Sequence, residues 1–395
     1  MVSSRFLGNK LMRAATTKEI AAAAAASGPG AVGEACREAV DALPDDPGLV
    51  LAFTSGDRDF EVDVQEMADA AGGATSAGMT GKGLFGPHGP LDEGCVAMAF
   101  TSQVSAAVAV AEEASGDLRT AGQACTSEAL EKLGADADLI LLLIDSTRGD
   151  IADTVSGAYE AAGPGVPLAG GAAGGAEKRH FHNGRATSDS IVAVAVRSEG
   201  ATGMGNAQTC RTRGTPSILT RSNGRLVEEI DGRPAEEVYL EQIGFAGLAF
   251  DDDEFETMAI THPIAQPELH GDFRLRHVLG RTEQGAILLG TGIPESAVIE
   301  FTELDFDELL ASGAASVHAA IGALGGADPK AAVVFDCAGR RRALHEGIPE
   351  EVEAITAALG DPTPPVIGLY THGEVARLQG AKGDRNHAVV TVAFG

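Results

Sequence analysis

The stretch Ala331-Ala-Val-Val-Phe-Asp-Cys-Ala-Gly-Arg340 decides how the rest of the chain is interpreted. Its first five residues are apolar and rich in β-branched side chains, which predicts a buried strand. A helical pattern over 350–359 follows, and a second apolar run over 365–370 leads into Thr371-His-Gly-Glu374. Polar residues therefore gather where two strands end, which is where ligands usually bind in sheets flanked by helices.

The same order of elements occurs twice upstream: a strand, a helix, a strand that ends in Gly, Thr or Ser, and a returning strand. One copy covers 49–100, the next covers 139–196, and the copy at 331–394 closes the chain. The alternative is that any α/β chain repeats itself to this degree. If the units are true repeats, they must pack against one another, because a single unit cannot bury its own apolar face.

Length and composition favour a globular protein of two or three domains, since 44% of the 395 residues are hydrophobic. No apolar run is long enough to span a membrane, and the N-terminal residues lack the pattern of a secretory signal. We therefore expect a cytoplasmic protein without membrane insertion. The five cysteines form no CxxC pair, which favours reduced thiols over a disulfide framework or a zinc site.

The net charge of −28 argues against nucleic acid or an anionic membrane as a partner. Only seven of the 29 cationic residues are lysines, and tryptophan is absent. An acid excess with so little lysine favours a haloarchaeal or similar halophilic source, in which salt screens the self-repulsion. The alternative is an ordinary acidic protein encoded by GC-rich DNA.

We predict an α/β fold of mixed α+β type, with two pseudo-related domains whose mixed β-sheets are flanked by helices and packed like a sandwich. An N-terminal extension covers 1–30, the first domain 31–213 and the second 214–395. Asn-Gly pairs at 183–184 and 223–224 predict hairpins. Further predictions are helices at 18–26, 234–243 and 305–324, an acidic loop at 244–256 and a strand at 257–261.

Cys337 is the most suggestive single thiol, because it ends a strand beside Arg340 and cations lower the pKa of a thiol. With His372 as a base it would be a candidate nucleophile; the alternative is a small buried residue at a strand end. Arg340 and Glu374 would either pair with each other or hold the carboxylate and ammonium of a small zwitterion. In the second case, Arg340→Ala should weaken ligand binding without unfolding the protein.

Two further patterns involve glycine and histidine. The cluster Gly170-Gly-Ala-Ala-Gly-Gly175 would let backbone approach a ligand, or would be a turn crowded by packing. His180 and His182 share one face of a predicted strand and would suit a metal or haem, although paired histidines on a hairpin usually bind neither. No HExxH or GxSxG motif occurs and no GxGxxG motif opens a helix after a strand, so we predict neither metal ligands nor catalytic residues.

Two segments, Phe335-Asp-Cys-Ala-Gly-Arg340 and Pro365-Val-Ile-Gly-Leu-Tyr-Thr-His-Gly-Glu374, closely resemble the C-terminal half of FIST domain proteins. Upstream, Val166-Pro-Leu-Ala-Gly-Gly-Ala-Ala-Gly174 and Gly73-Ala-Thr-Ser-Ala-Gly78 resemble the N-terminal half, so that the likeness covers roughly 30–395. The chain departs from the family where an aromatic-His-Asn segment before the last strand is replaced by Arg385-Asn386-His387.

The resemblance implies a sensory module that binds a small, amino-acid-like ligand without catalysis. It would act through a separate partner protein, because no fused signalling segment is recognised. Some relatives bind haem and sense nitric oxide, so a haem sensor is an alternative, although we expect no cofactor. A thiol enzyme and an interaction subunit of a larger complex are further alternatives. The predicted ligand-binding residues are Cys337, Gly339, Arg340, Thr371, Gly373, Glu374, Thr75, Ser76, Gly170, Gly171 and Gly174.

Overall fold

The computed structural model describes residues 20–28, 31–56, 59–145, 149–268, 273–378 and 383–395. Within them the chain forms three repeats with one order of elements, and an insert interrupts the third. Of the predicted extension at 1–30, only 20–28 is described. The first repeat consists of β1 Ala22–Ser27, α1 Val32–Asp41, β2 Pro47–Ser55, α2 Phe60–Ala71, β3 Thr75–Thr80, β4 Leu84–Gly86, β5 Gly89–Leu91 and β6 Gly94–Thr101.

The second repeat follows after a two-residue turn and has the same order. It consists of β7 Val104–Ala111, α3 Leu118–Leu133, β8 Leu139–Ile144, α4 Ile151–Ala162, β9 Leu168–Ala172, β10 His180–His182, β11 Arg185–Thr187 and β12 Ile191–Ser198. The predicted hairpin at Asn183-Gly184 is confirmed as the turn between β10 and β11. Both turn residues have positive φ, as a type I′ turn requires.

The third repeat opens with β13 Thr202–Gln208 and is then interrupted by the insert, which forms the fourth sheet. The hairpin predicted at Asn223-Gly224 is present, with its turn at Gly224 and Arg225, because Asn223 still pairs with Leu226. The elements of the insert are β14 Arg211–Asn223, β15 Leu226–Ile230, β16 Arg233–Pro234, α5 Ala235–Ile243, α6 Asp252–Ile260, β17 Ile264–Pro267, β18 Phe273–Arg276, β19 Val278–Arg281, β20 Ile287–Leu289 and β21 Val298–Glu303.

After the insert the third repeat resumes with the helix predicted over 305–324. Its remaining elements are α7 Phe306–Ala323, β22 Ala331–Cys337, α8 Ala338–Leu344, α9 Ile348–Ala358, β23 Val366–Thr371, β24 Glu374–Arg377, β25 Asp384–Arg385 and β26 Ala388–Phe394. The stretch that opened the sequence analysis is therefore β22 and the start of α8.

Each repeat builds a six-stranded sheet but completes it with a hairpin from another repeat. The strand orders are β1-β6-β2-β3-β10-β11, β7-β12-β8-β9-β24-β25 and β13-β26-β22-β23-β4-β5. The hairpin of the first repeat therefore belongs to the third sheet, that of the second repeat to the first sheet, and that of the third repeat to the second sheet. In every sheet the two strands joined by a helix are parallel, which such a crossover permits.

One apolar core lies between these three sheets, because alternate residues of each strand face it. Phe53, Leu141 and Phe335, one from each sheet, belong to the same buried cluster. The intervening residues face outward against helices: those of β2 pack on α1 and α2, those of β8 on α3 and α4, and those of β22 on α7 and α9. The predicted mixed α/β class is confirmed, and its sheets are flanked by helices on their outer faces.

The insert is fixed to the repeats by buried polar contacts. Arg274 and Arg276 both donate to Asp384 in β25, with N–O distances of 2.8 and 2.9 Å. On another side, Asp150 accepts a 2.7 Å hydrogen bond from the backbone of Gly292. These contacts hold the insert over the carboxyl ends of strands from the second and third repeats.

Three sequence predictions need correction. Ala22 to Ala26 was expected to be helical but is a strand, because pairing with β6 outweighs the helix preference of alanine. The acidic segment predicted as a loop over 244–256 is a loop only as far as 251, because 252–256 and most of the strand predicted at 257–261 form one helix, α6. A capping box in which Asp251 and Glu254 each bond the other's backbone starts this helix.

The boundary predicted near residue 213 lies inside β14, whereas the chain passes from the second repeat to the third near residue 200. None of the helices in the described ranges is both long and apolar enough to cross a membrane.

Candidate functional site

A cavity of about 760 Å³ lies between the insert and the carboxyl ends of β22 and β23. This is the edge at which the sequence predicted a ligand. Its walls are formed by Lys82, Gly149, Ile151, Lys178, Arg225, Glu256, Ile260, His277, Val278, Leu279, Gly290, Cys337, Ala338, Gly339, Arg341, Arg342, His345, Ile348, Thr371, His372 and Asn386.

Cys337 and Thr371 lie side by side at the floor of the cavity, because they are register partners at the ends of the parallel strands β22 and β23. Gly339 follows in the first turn of α8 and also lines the wall. A side chain there would meet the ring of His387 at 3.1 Å and the Cys337 sulfur at 3.4 Å. Three of the predicted ligand-binding residues are thus brought together.

Glu374 lies directly behind this floor and is fully buried. One carboxyl oxygen lies 3.0 Å from the Thr371 hydroxyl, and the other accepts a 3.2 Å hydrogen bond from the backbone of Ala388. Burial raises the pKa of Glu374 to about 8, although hydrogen bonds from Ala388, Thr371 and Cys337 favour the ionised form. The group is therefore largely protonated at neutral pH and is screened from the cavity.

The Cys337 thiol does not have the lowered pKa that the sequence predicted. Burial, and then the charge of Glu374, raise its pKa well above the usual value, against hydrogen bonds from three backbone N–H groups. Arg340 does not offset this rise, because its guanidinium points away from the cavity into the protein. Cys337 is thus a protonated thiol at the edge of the site.

Arg340 does not line the cavity, contrary to its predicted role. It is fully buried, with Nε 3.0 Å from Asp336 and Nη1 2.8 Å from Ser312. Its Nη2 donates to Glu351 and, at 3.0 Å, to the Leu309 carbonyl. Four guanidinium contacts are therefore satisfied within the protein, and neither Arg340 nor Glu374 is placed to hold a zwitterion.

Three of the predicted glycines lie in β9 (Gly170 and Gly171) or just after it (Gly174), and none of the three is among the residues that line the cavity. Gly171 pairs with Glu374 in the neighbouring strand β24, and a side chain on it would come within 2.9 Å of the Gly373 carbonyl. Gly170 has φ of 136°, and a side chain on Gly174 would meet the backbone of Lys82 at 2.7 Å. The close approach that glycine permits is to another strand and not to a ligand.

Thr75 and Ser76 are far from the cavity, because they begin β3 whereas the cavity lies beyond its other end. Thr75 donates a 2.7 Å hydrogen bond to the Ala106 carbonyl, and the Ser76 backbone donates to the Asn183 side chain. At about 3.3 Å per residue, they lie some 15 Å or more from Lys82, which does line the cavity. Neither residue is among those that line the cavity.

Among the described residues, five cationic side chains line the cavity, and none of them was predicted as a ligand contact. Lys82 follows β3, Lys178 lies between β9 and β10, Arg225 is in the insert, and Arg341 and Arg342 are in α8. Glu256 is the only carboxylate among the described residues that form the walls, and it lies 3.9 Å from Arg342. The cavity of this strongly acidic protein therefore carries an excess of positive charge.

Histidines form a second group at this site. The His277 ring, on the wall, is 2.9 Å from the ring of the buried His387. Burial lowers the pKa of His277 to about 4, with Arg342 and His372 adding to the effect. Desolvation and then Lys178 and Lys82 lower the pKa of His372, so this exposed ring is neutral at pH 7.

The paired His180 and His182 lie elsewhere, in the hairpin that joins the first sheet. His180 is fully buried and 3.0 Å from the Ser190 hydroxyl, and burial lowers its pKa to about 4. No group of three or more His, Cys, Asp and Glu side chains suited to a metal ion occurs among the described residues.

Repeat order contains a signal that would have found part of the missed site. Lys82, Lys178 and His372 each follow the second parallel strand of a repeat, and all three reach the cavity. These residues lie in the connections after the strands, and not at the strand ends where a ligand was predicted. The lining residues that the insert contributes could not be predicted, because nothing in the sequence of its strands indicates which repeat it covers.

Comparison with known proteins gives two domain matches. Residues 48–233 match the FIST N domain and residues 235–377 the FIST C domain. The chain is also similar to the uncharacterized protein Rv0628c of Mycobacterium tuberculosis, with 27% identity over 226 residues, covering 55% of this chain and 58% of that protein. The uncharacterized protein Mb0898c of Mycobacterium bovis is 27% identical over 234 residues, covering 55% and 57%.

The chain thus spans a little over half the length of the curated relatives it matches. These relatives are mycobacterial and give no support to the predicted haloarchaeal or other halophilic source.

Proposed function

We propose, from the premise that the chain belongs to the FIST family, that it is a sensory protein which binds a small molecule in the cavity and acts through a separate partner protein. FIST domains are associated with signal transduction through the sensing of small ligands. The ligand, the partner and the absence of catalysis are the parts that we propose for this chain.

The position of the cavity carries the proposal. One wall belongs to the insert and includes Arg225 and His277. The opposite side is formed by strand ends of the repeats and includes Cys337 and Thr371. A ligand that contacts both parts binds best to the arrangement in which they are closed on each other, so its binding shifts the population towards that arrangement. Such a shift is what a partner protein would read.

The chemistry at the floor supports binding over catalysis. Cys337 and Glu374 have raised pKa values, which keep both groups protonated near pH 7 and leave no thiolate to attack a ligand. The neutral His372 lies at the cavity but makes no side-chain hydrogen bond with the described residues that would orient it as a base.

Mass spectrometry of small molecules released from the purified protein tests this function. Leu279 lines the cavity and is 37% exposed, so Leu279→Trp should fill the site without disturbing the core. Leu248→Trp is the matched control, because Leu248 is exposed and lies outside the cavity. We expect one bound molecule in the wild type and in Leu248→Trp, and its loss from Leu279→Trp. Equal amounts in all three proteins, or none in any, would contradict the proposal.

A haem sensor is a second candidate, favoured by the free ring of His372. A neutral imidazole at a cavity is a suitable axial ligand for iron, and haem bound there would supply a gas-binding metal. The residues fit to the extent that His372 would hold the iron and Lys82 and Lys178 would face the propionates. A Soret band after haem addition that disappears in His372→Ala would support this candidate, and the absence of any band would remove it.

A further inference from the structure

The cavity has a charge opposite to that of the protein around it. The whole chain carries −28, yet five cations and one carboxylate of the described residues line this cavity. Two of the seven lysines, Lys82 and Lys178, are among the five. Cations gathered in a concave site with low-dielectric walls focus a positive potential there, which attracts anions.

Three of these cations have no carboxylate partner within the part of the chain that the structure describes. Lys82 and Lys178 form no ion pair there, and the one hydrogen bond of Arg225 is a 3.4 Å contact with the Gly290 carbonyl. Arg341 and Arg342 differ, since Arg341 pairs with Asp92 and Arg342 lies 3.9 Å from Glu256. In a chain with 57 acidic residues, unpaired cations in a single cavity are best explained by an anionic ligand.

We propose that the ligand of this cavity is a small anion with at least two negative charges, such as a phosphate ester or a di- or tricarboxylate. This proposal rests on the proposed function and names the chemical class that the sensory site takes. Lys82, Lys178 and Arg225 hold the anion. Arg225 suits a bidentate contact, whereas the two lysines act as point charges.

A zwitterion of the amino-acid type fits this cavity less well, because the described lining offers no free carboxylate for its ammonium group. Glu374 is fully buried behind Thr371, and Glu256 already lies beside Arg342. The ammonium would instead face the lysine and arginine charges, which repel it. The same cations favour a second negative charge on the ligand.

The three unpaired cations belong to different parts of the fold. Lys82 and Lys178 belong to the first and second repeats, whereas Arg225 belongs to the insert. An anion between them neutralises the repulsion among the three cations and bridges the two parts. The bound anion therefore stabilises the closed arrangement that the proposed function requires.

Isothermal titration calorimetry on the full chain tests the ligand class, with pyrophosphate, citrate and alanine as probes. The variants are Lys82→Gln combined with Lys178→Gln, and Arg225→Gln. Lys132→Gln is the control, because Lys132 is an exposed lysine on α3 outside the cavity. We expect the wild type to bind at least one of the two anions and not alanine. The double lysine variant should bind it at least tenfold more weakly and Arg225→Gln several-fold more weakly, with Lys132→Gln unchanged.

Binding of pyrophosphate alone supports a phosphate ester, and binding of citrate alone supports a carboxylate. The proposal is overturned if neither anion binds, if the double lysine variant binds as tightly as the wild type, or if alanine binds best. These failures are distinct from failure of the proposed function. A neutral molecule released from the wild type but not from Leu279→Trp would preserve the sensory site and remove only its anionic ligand.

Discussion

Arginine and lysine side chains near the site form two groups that look alike in sequence and differ in structure. Arg340 is fully buried and bonded to Asp336, Glu351 and Ser312, whereas Lys82 and Lys178 reach the cavity without a carboxylate partner in the described ranges. The first group holds elements of the third repeat together, and the second is available to a ligand. A structural cation therefore differs from a ligand-binding one in having a carboxylate partner, and its position beside a cysteine in the sequence does not distinguish the two.

Replacing the buried cation should have the largest effect on stability. Arg340→Ala leaves Asp336 and Glu351 buried without their partner, so we expect the free energy of unfolding to fall by roughly 3 to 5 kcal/mol. Urea unfolding followed by circular dichroism measures the change. This expectation reverses the one drawn from sequence, which had Arg340→Ala affecting only the ligand.

Arg342→Ala is the matched control, since Arg342 lies two residues away and 51% of its side chain is exposed. Its unfolding free energy should stay within experimental error, because exposed ion pairs contribute little. If Arg340→Ala were as stable as the wild type but lost its ligand, the distinction between the two groups of cations would fail.

The carboxyl groups also differ between the buried interior and the cavity, and the dependence of stability on pH tests this difference. Glu374 has a folded-state pKa of about 8, above its ordinary value of 4.5. Between those two values the folded state holds a proton that the unfolded state has released, so stability from this group falls as pH rises. Glu374→Gln keeps the neutral shape and removes the titration, so its stability relative to wild type should increase from pH 5 to pH 8 and level off above.

Urea unfolding at pH 5.5, 7 and 8.5 measures this trend. Glu256→Gln, in the exposed cavity wall, is the control for the change of a carboxyl to an amide. Parallel profiles for the wild type and Glu374→Gln would show that Glu374 is ionised in the folded protein.

The smallest expected effect is on the alkylation rate of the cysteine thiols. This rate tests whether the position of Cys337 at the cavity is enough to make it reactive. Its pKa is raised by burial, so the thiolate fraction at pH 7 is lower than that of free cysteine. We expect alkylation by iodoacetamide at least about tenfold slower than for free cysteine, with the modified residue identified by peptide mass spectrometry. Cys36, whose pKa burial raises to about 12, is the internal reference for an enclosed thiol. Labelling of Cys337 at the rate of free cysteine would restore the thiol-enzyme alternative.

Much of the fold followed from local patterns in the sequence. The strands at 331–337 and 139–144, the hairpin at Asn183-Gly184 and the order of elements in all three repeats depend on apolar spacing and turn residues that act over short distances. The alanine strand β1 did not, because its partner β6 lies more than 60 residues away and only pairing overrides the local preference. The pairing of each hairpin with the sheet of another repeat could not be predicted either, because the edge strands of the three sheets have similar sequences.

The site was predicted in part for the same reason. Cys337, Gly339 and Thr371 were found because parallel strands bring their carboxyl ends together. Arg340 was misplaced because one turn of α8 directs it inward, to acids that lie on either side of it in sequence. Lys82, Lys178 and Arg225 come from three separate connections, and only the folded arrangement of repeats and insert makes them neighbours.

Cutting the chain between β12 and β13 would leave both fragments with an incomplete sheet. The N-terminal fragment would lack β24 and β25 beside β9, and the C-terminal fragment would lack β4 and β5 beside β23. Each would therefore present an unpaired strand edge and tend to aggregate when produced alone. Co-expression should let the fragments reassociate along those edges, and heating the intact chain should melt its three repeats in one cooperative transition.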